Sequence, residues 1–136
     1  METNKKRSEC PLSCSLDVFG DKWSLLIIRD LIFYNKSTYN DFLKSEEGIA
    51  TNILASRLKA LEENGIIEKS AHPESKSKFL YKLTTKGIDL LPVIMEFYIW
   101  SDKYLTIPAD IKATIKEAKK DKEKFAKQLI KQLKSK

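Results

Sequence analysis

The 136 residues, 42% of them hydrophobic, suffice for one domain with a core plus an appendage and fall short of two full domains. No apolar run approaches the roughly 18 residues of a membrane span, and the start METNKKRSEC has no apolar stretch for a signal peptide, so a cytoplasmic protein without a membrane partner is expected. The net charge of +6 sits entirely in the tail, because residues 1–109 hold 15 Lys+Arg against 15 Asp+Glu and residues 110–136 hold 10 Lys against 4 acids. One histidine, His72, and two cysteines, Cys10 and Cys14, make neither a metal site nor a histidine-dependent triad, and the glycines at 20, 48, 65 and 87 form no phosphate loop. Neither an enzyme nor a cofactor is expected. His72, before Pro73, reads as an exposed turn histidine.

In chain order, Cys10-Pro11 opens the first element. Proline suits the first helical position, Gly20 is a natural stop, and Leu12, Leu16 and Phe19 share a face, so a helix spans about 11–19. Asp21-Lys22-Trp23-Ser24 leads into LLIIRDLIF, apolar nearly all round and therefore the central buried helix, with Trp23, Leu26, Ile27 and Leu31 as core candidates. Turn residues at 35–38 precede a short helix over 39–43 that ends at SEEG.

The stretch Ile49–Ile67 reads as an amphipathic helix, a glycine stop and the start of a strand. Leu54, Leu58 and Leu61 recur at i, i+4 and i+7 and must be buried; Asn52, Ser56 and Lys59 face away, flanked by Ala55 and Ala60. Arg57 lies nearer the core edge, where an ion pair is expected. Periodicity alone fits a plain surface helix equally well, and only the flanking elements favour a recognition helix joined to a wing.

After Ile67 the period changes. Residues 68–71 and 79–83 read as two strands joined by the polar loop HPESKSK, with Lys69, Lys76, Lys78 and Lys82 opposed by Glu68 and Glu74. The hairpin is either a basic wing or a loop kept soluble by its lysines. Thr84 is suited to cap a long helix over 85–104 with two apolar faces, Ile88, Leu91, Met95, Tyr98 and Trp100 on one and Leu90, Ile94 and Phe97 on the other. Pro92 should kink or break it. From Pro108 onward Ile111, Ile115, Ala118, Phe125, Leu129 and Leu133 recur amid lysines, which predicts one basic amphipathic helix that docks on something.

Helix, buried helix, short helix, recognition helix, two-stranded wing and long helix is the order of a winged helix-turn-helix. The stretches CPLSCSLDVFGDKWSLLIIRDL, GIATNILASRLKALEENGIIEK and YKLTTKGIDLLPVIMEFYIW resemble the HxlR-type family of bacterial transcriptional regulators over about residues 10–104. The matching features are the Cys-Pro start, Gly20 to Ile27, Arg57-Leu58 with Leu61, and Leu83-Thr84 with Gly87 and Leu91-Pro92. Ala50 stands where the family usually has a serine N-cap. The expected fold is mainly α with a small β-hairpin wing, a winged helix-turn-helix domain with additional N- and C-terminal dimerisation helices, followed by a basic amphipathic helix over 105–136.

The resemblance implies a homodimer on a double-stranded DNA operator, joined through its terminal helices, for which Leu12, Leu16, Leu90, Ile94, Phe97 and Tyr98 are the candidates. Thr51, Asn52, Ala55, Ser56 and Lys59 would enter the major groove, Asn52 suited to adenine and Lys59 to guanine or phosphate. Thr38 and Tyr39 would meet the backbone, and Lys76 and Lys78 phosphates or the flanking minor groove. A winged-helix protein-interaction module without specific DNA recognition is the alternative. Some family members respond to oxidants or electrophiles through a cysteine that matches Cys10. Pro11 makes Cys10 the N-cap, where the helix dipole favours a thiolate; Lys5, Lys6 and Arg7 push the same way and Glu9 opposes them. Cys14 lies one turn later, where helix geometry works against an internal disulfide. The other reading of both cysteines is as small buried hydrophobes.

Overall fold

The structure is a computed structural model that describes residues 7–135. Its elements are α1 (Pro11–Phe19), α2 (Lys22–Phe33), α3 (Tyr39–Leu43), α4 (Thr51–Glu63), β1 (Ile67–His72), β2 (Ser75–Leu83), α5 (Thr85–Ile88), α6 (Leu91–Tyr104), α7 (Ala109–Lys120) and α8 (Lys122–Lys134). They fall into two compact units that divide after Thr84.

The first unit is built on α2. Asp21 caps it, its carboxylate accepting from the Ser24 amide at 2.9 Å and the Ser24 hydroxyl at 2.6 Å. Ile27, Ile28, Leu31 and Ile32 are buried, while Trp23 and Leu26, expected in the core, are only half-buried. The run is apolar on nearly every side, so its composition hardly marks the face that α4 covers; α2 and α4 pack together, as do α3 and α4. Phe42 of α3, Leu54, Leu58 and Leu61 of α4, and Ile66, Ile67 and Leu83 of the hairpin are buried with them. Fully burying a leucine side chain is worth about 1.5–3 kcal/mol, so the three leucines of α4 alone anchor it firmly.

Asp30 is the buried charge of this unit, and Arg29 answers it at 2.8 Å while reaching Glu47 at 2.8 Å. That fork ties α2 to the turn before α4. The same turn contains Gly48 at φ +70°, a left-handed conformation that glycine adopts without steric cost. Gly65, at φ +73°, does the same after α4, as its place in the sequence predicts.

The hairpin is antiparallel, with Ile67 opposite Leu83 and Ala71 opposite Phe79, and its register shifts between Ala71 and His72, which pairs with Ser75. The strands are longer than the expected 68–71 and 79–83. Lys76 and Lys78 therefore lie in β2 rather than in a loop, because the irregularity absorbs residues 76–78 while leaving them extended, and the turn shrinks to Pro73-Glu74. His72 Nδ1 accepts from the Glu74 amide at 3.0 Å and closes that turn. At the base, the Thr84 hydroxyl donates to the carbonyls of Gly65 at 2.6 Å and Ile66 at 3.1 Å.

In the second unit the expected helix over 85–104 is two helices. Pro92 stands in the first turn of α6, where its missing amide hydrogen costs nothing, and the chain breaks just before it. Ile88, Leu91, Ile94 and Met95 are buried, whereas Phe97, Trp100, Tyr104 and Leu105 are exposed. The single helix expected for the tail is also two, since Asp121 is extended at φ −158°, ψ 92° and caps α8 by accepting from the Lys124 amide at 3.1 Å. α7 packs on both α6 and α8, burying Ile115 and Ala118. No helix among the described residues is long and apolar enough to cross a membrane.

Candidate nucleic-acid interface

α4 has a hard division between its two sides. Leu54, Leu58 and Leu61 are fully buried, and opposite them Thr51, Asn52, Ala55, Ser56 and Lys59 are exposed. Asn52, Ala55, Ser56 and Lys59 follow the i, i+3, i+4, i+7 spacing of a single helical face. Ala55 and Ser56 at its middle are short, so nothing there holds a flat or grooved partner at a distance. The N-cap is Ala50, which supplies no side-chain acceptor, and the amides of the first turn are left without one. The positive end of the helix dipole is correspondingly open to an anion.

Arg57 lies at the edge of this face and is engaged within the fold. Its Nε donates to Asp21 Oδ1 at 3.0 Å and its Nη1 to the Ser56 hydroxyl at 3.2 Å, so the ion pair expected at the core edge is present. Partial burial works against ionisation of Asp21, but the bonds from Ser24 and Arg57 outweigh it and hold the carboxyl below the usual aspartate range. One carboxylate thus caps α2 and orients α4.

Thr38 and Tyr39 are half-buried and already engaged within the fold. The Thr38 hydroxyl accepts from the Asp41 amide at 3.1 Å, and Asp41 Oδ2 accepts from the amides of Ser37 and Thr38 at 3.0 Å each, a complete capping box. The Tyr39 hydroxyl donates to the Thr51 carbonyl at 3.1 Å, linking α3 to the first turn of α4. Asn40 and Lys44 are the exposed residues beside them. Sequence reasoning passed over both, although they lie two residues either side of buried Phe42, on the opposite face of so short a helix.

A cleft of about 460 Å³ runs between α3, α4 and the hairpin, lined among others by Tyr39, Lys59, Lys69 and Tyr81. Burial first, then the nearby Glu62, raises the Tyr81 phenol above its ordinary value. The Tyr81 ring meets Phe42 edge-on at 6.2 Å, which fixes the hairpin against α3. On the hairpin, Lys82 pairs with Glu68 at 3.5 Å and the Lys69 ammonium lies 4.5 Å from the Phe79 ring centroid. Lys76 and Lys78 are exposed and form no ion pair among the described residues, as is true of Lys59. The structure thus brings Asn52, Ala55, Ser56 and Lys59 onto one face of α4 and leaves two uncompensated lysines on the wing.

Cys10 is exposed and is the N-cap of α1, without a cap bond from its side chain. Cys14, half-buried, donates its thiol to the Ser8 carbonyl at 3.1 Å, and both cysteines are free. Arg7 is held by Asp17 at 2.7 Å, so its charge is largely committed there; Lys5 and Lys6 lie outside the described residues. Leu12 and Leu16 of α1 are 68% and 50% exposed, and Phe97 of α6 is 55% exposed. Ile94 is buried, and Leu90 and Tyr98 are half-buried.

This geometry has counterparts. A family model described as HxlR-like helix-turn-helix matches residues 18–108. YdeP of Bacillus subtilis (strain 168), an HTH-type transcriptional regulator, is 34% identical over 95 residues, 70% of this chain and 73% of that protein. YodB of the same organism, also an HTH-type transcriptional regulator, is 34% identical over 96 residues, 70% of this chain and 85% of that one. YodB has been solved in reduced, diamide-treated and quinone-bound forms; the reduced form aligns with a TM-score of 0.58 at 32% identity over 71% of this chain and 95% of its own. The crystal structure of PA1607 aligns with a TM-score of 0.66 at 40% identity, covering 76% of this chain and 70% of that one.

Proposed function

The chain belongs to the HxlR-like helix-turn-helix family, and we propose that, as a transcriptional regulator of this type, it reads a specific DNA duplex with α4 as a homodimer in the cytoplasm. The observation that carries this reading is the exposed face of α4, short and polar over its first two turns, beside the unpaired wing lysines. In the major groove Asn52 pairs with adenine N6 and N7, Ser56 bonds to either kind of base edge, and Lys59 donates to guanine or phosphate. Lys76 and Lys78 bind the backbone, and Thr38 and Tyr39 hold α3 so that its outer side meets phosphate. Arg57 positions α4 through Asp21 and does not contact a base.

The dimer is supported by the bare leucines of α1 and by Phe97, Trp100, Tyr104 and Leu105. With Ile94 buried, Phe97 and its exposed neighbours carry the share of that interface expected from α6. Two-fold symmetry then spaces the recognition helices by about 34 Å, one turn of the duplex, on a pseudo-palindrome. A monomer in light scattering at micromolar concentration overturns this part. The DNA reading is tested by gel shift with the upstream DNA of the protein's own gene against an unrelated duplex, over a salt series. Preference for the former is expected; equal binding to both at every salt concentration points to an interaction module instead.

Cys10, exposed at the start of a helix whose leucines face the proposed dimer interface, is the site through which an oxidant or electrophile changes DNA affinity. YodB in its diamide-treated and quinone-bound forms is the precedent among similar chains. Maleimide labelling followed by operator titration should lower affinity in the wild type and leave Cys10→Ser unaffected. Equal affinity before and after labelling makes Cys10 a structural residue.

A further inference from the structure

Lys124, Lys127, Lys131 and Lys134 stand at i, i+3, i+7 and i+10 along α8. At 100° and 1.5 Å per residue this gathers them within about 80° of the helix circumference and spreads them over about 15 Å. All four are exposed and none forms an ion pair among the described residues. The neighbouring lysines behave differently: Lys112 and Lys119 share Asp102, Lys120 pairs with Glu117, and Lys122 reaches Glu96 at 2.9 Å. Asp102, Glu117 and Glu96 are thus taken up by other cations; Asp121 and Glu123, at the start of α8, form no ion pair with the four lysines, and the stripe keeps an excess of positive charge.

The stripe is also fixed in place. Asp121 caps the start of α8, and Phe125, Ala126, Leu129, Ile130 and Leu133, on the side away from the stripe, are half-buried where α8 packs on α7. A row of cations along one face of a helix suits a polyanion with regularly spaced charges, and each DNA strand offers one phosphate per about 3.4 Å of axis. An anionic membrane has the same sign, but a helix lying in its interface must turn its apolar face to the lipid, and on α8 that face is engaged with α7. Residues 1–84, which contain the face of α4 and the wing, hold 13 Lys+Arg against 12 Asp+Glu and bring little net attraction for phosphate.

We infer that α8 is a second, sequence-independent contact of this protein, and that its lysine stripe binds the phosphate backbone of duplex DNA. The inference rests on the reading that the protein binds duplex DNA, and it divides the labour: α4 selects the sequence, and α8 supplies much of the salt-dependent affinity.

The test compares the full-length wild type with K124Q/K127Q/K131Q/K134Q, in which glutamine keeps helix propensity, and with the corresponding fourfold arginine variant. Binding to the upstream duplex and to an unrelated one is followed by fluorescence anisotropy between about 50 and 200 mM salt, and helicity by circular dichroism. The slope of log K against log salt should fall in magnitude by about 3 to 4 per chain in the glutamine variant, equally on both duplexes, and return in the arginine variant. Should the glutamine variant lose helicity, the four single substitutions replace it, each expected to lower the slope by about 1. A total fall below about 2 overturns the inference, as does lysine-dependent binding to phosphatidylserine vesicles with an unchanged slope on DNA. Preference of the wild type for the upstream duplex is a separate readout: preference with an unchanged slope removes only the role of α8, and a lowered slope without preference removes only the sequence-specific reading.

Discussion

α4 and α8 are both thirteen residues long and both amphipathic, yet they expose opposite kinds of surface. The outer face of α4 is short, polar and carries one lysine in its first nine residues, on a helix anchored by three fully buried leucines. α8 exposes a row of lysines and buries nothing completely. Discrimination between base pairs needs side chains held within hydrogen-bond geometry, which in turn needs a rigid anchor; attraction to a charged backbone needs only charge at roughly the right spacing. On the proposed reading the molecule keeps these demands on separate helices.

The difference in anchoring is the largest effect to measure. Leu61→Ala should cost about 2–5 kcal/mol in urea unfolding, as large-to-small changes do at fully buried sites, while Leu129→Ala on α8 should cost well below that. Equal losses would make α8 part of the same cooperative core and erase the contrast.

Next in size is the effect on selectivity. Asn52→Ala should relax preference at one base position and cost about 1–3 kcal/mol on the preferred duplex only, read by competition binding against single-base variants of the site. A uniform loss across all sequences would place α4 outside the groove.

Asp21→Ala removes the cap of α2 and the partner of Arg57 together, and the cap alone is worth about 0.5–2 kcal/mol. Because the folded-state pKa of Asp21 lies below its ordinary value of 3.8, the contribution is complete above about pH 4 and is lost as pH falls through the lower, folded value. Unfolding curves of wild type and variant should therefore differ at neutral pH and converge in acid. Curves that stay apart by the same margin down to pH 2 would locate the effect elsewhere than in this carboxylate.

The smallest effect sharpens the contrast most. Lys78→Ala should weaken every duplex alike and lower the salt slope by about 1, leaving base preference intact. A change in preference instead would make the wing a reader of sequence.

The elements that fix the candidate site were legible in the sequence because strong local signals agreed with one another. Leucines at helical spacing marked the buried side of α4, Gly65 marked its end, and the turn before Tyr39 marked α3. What escaped had weak or ambiguous signals. Ile28 and Ile32 lie in a run that is apolar nearly all round, so the pattern carried little phase. Lys76-Ser77-Lys78 has the composition of a loop but stays extended as the irregular stretch between the paired positions Ser75 and Phe79, a register that composition does not record. The tail looked continuous because lysines flank Asp121, and an aspartate amid helix formers can equally begin a second helix. The unpaired state of the α8 lysines depends on where the acids fold to, which only the structure gives.

The bonds from the Thr84 hydroxyl to Gly65 and Ile66 have a consequence for how such proteins can vary. They staple the two ends of the hairpin to each other, so the segment between them begins and ends at one point in space. Each doubling of loop length costs only about 0.6 kcal/mol in closure entropy. Residues inserted at Pro73-Glu74 would therefore lengthen the tip without disturbing the stapled base, and one wing could be exchanged for another of different reach or charge as a cassette. Diversity among related regulators can accumulate at that tip while the rest of the framework stays as it is.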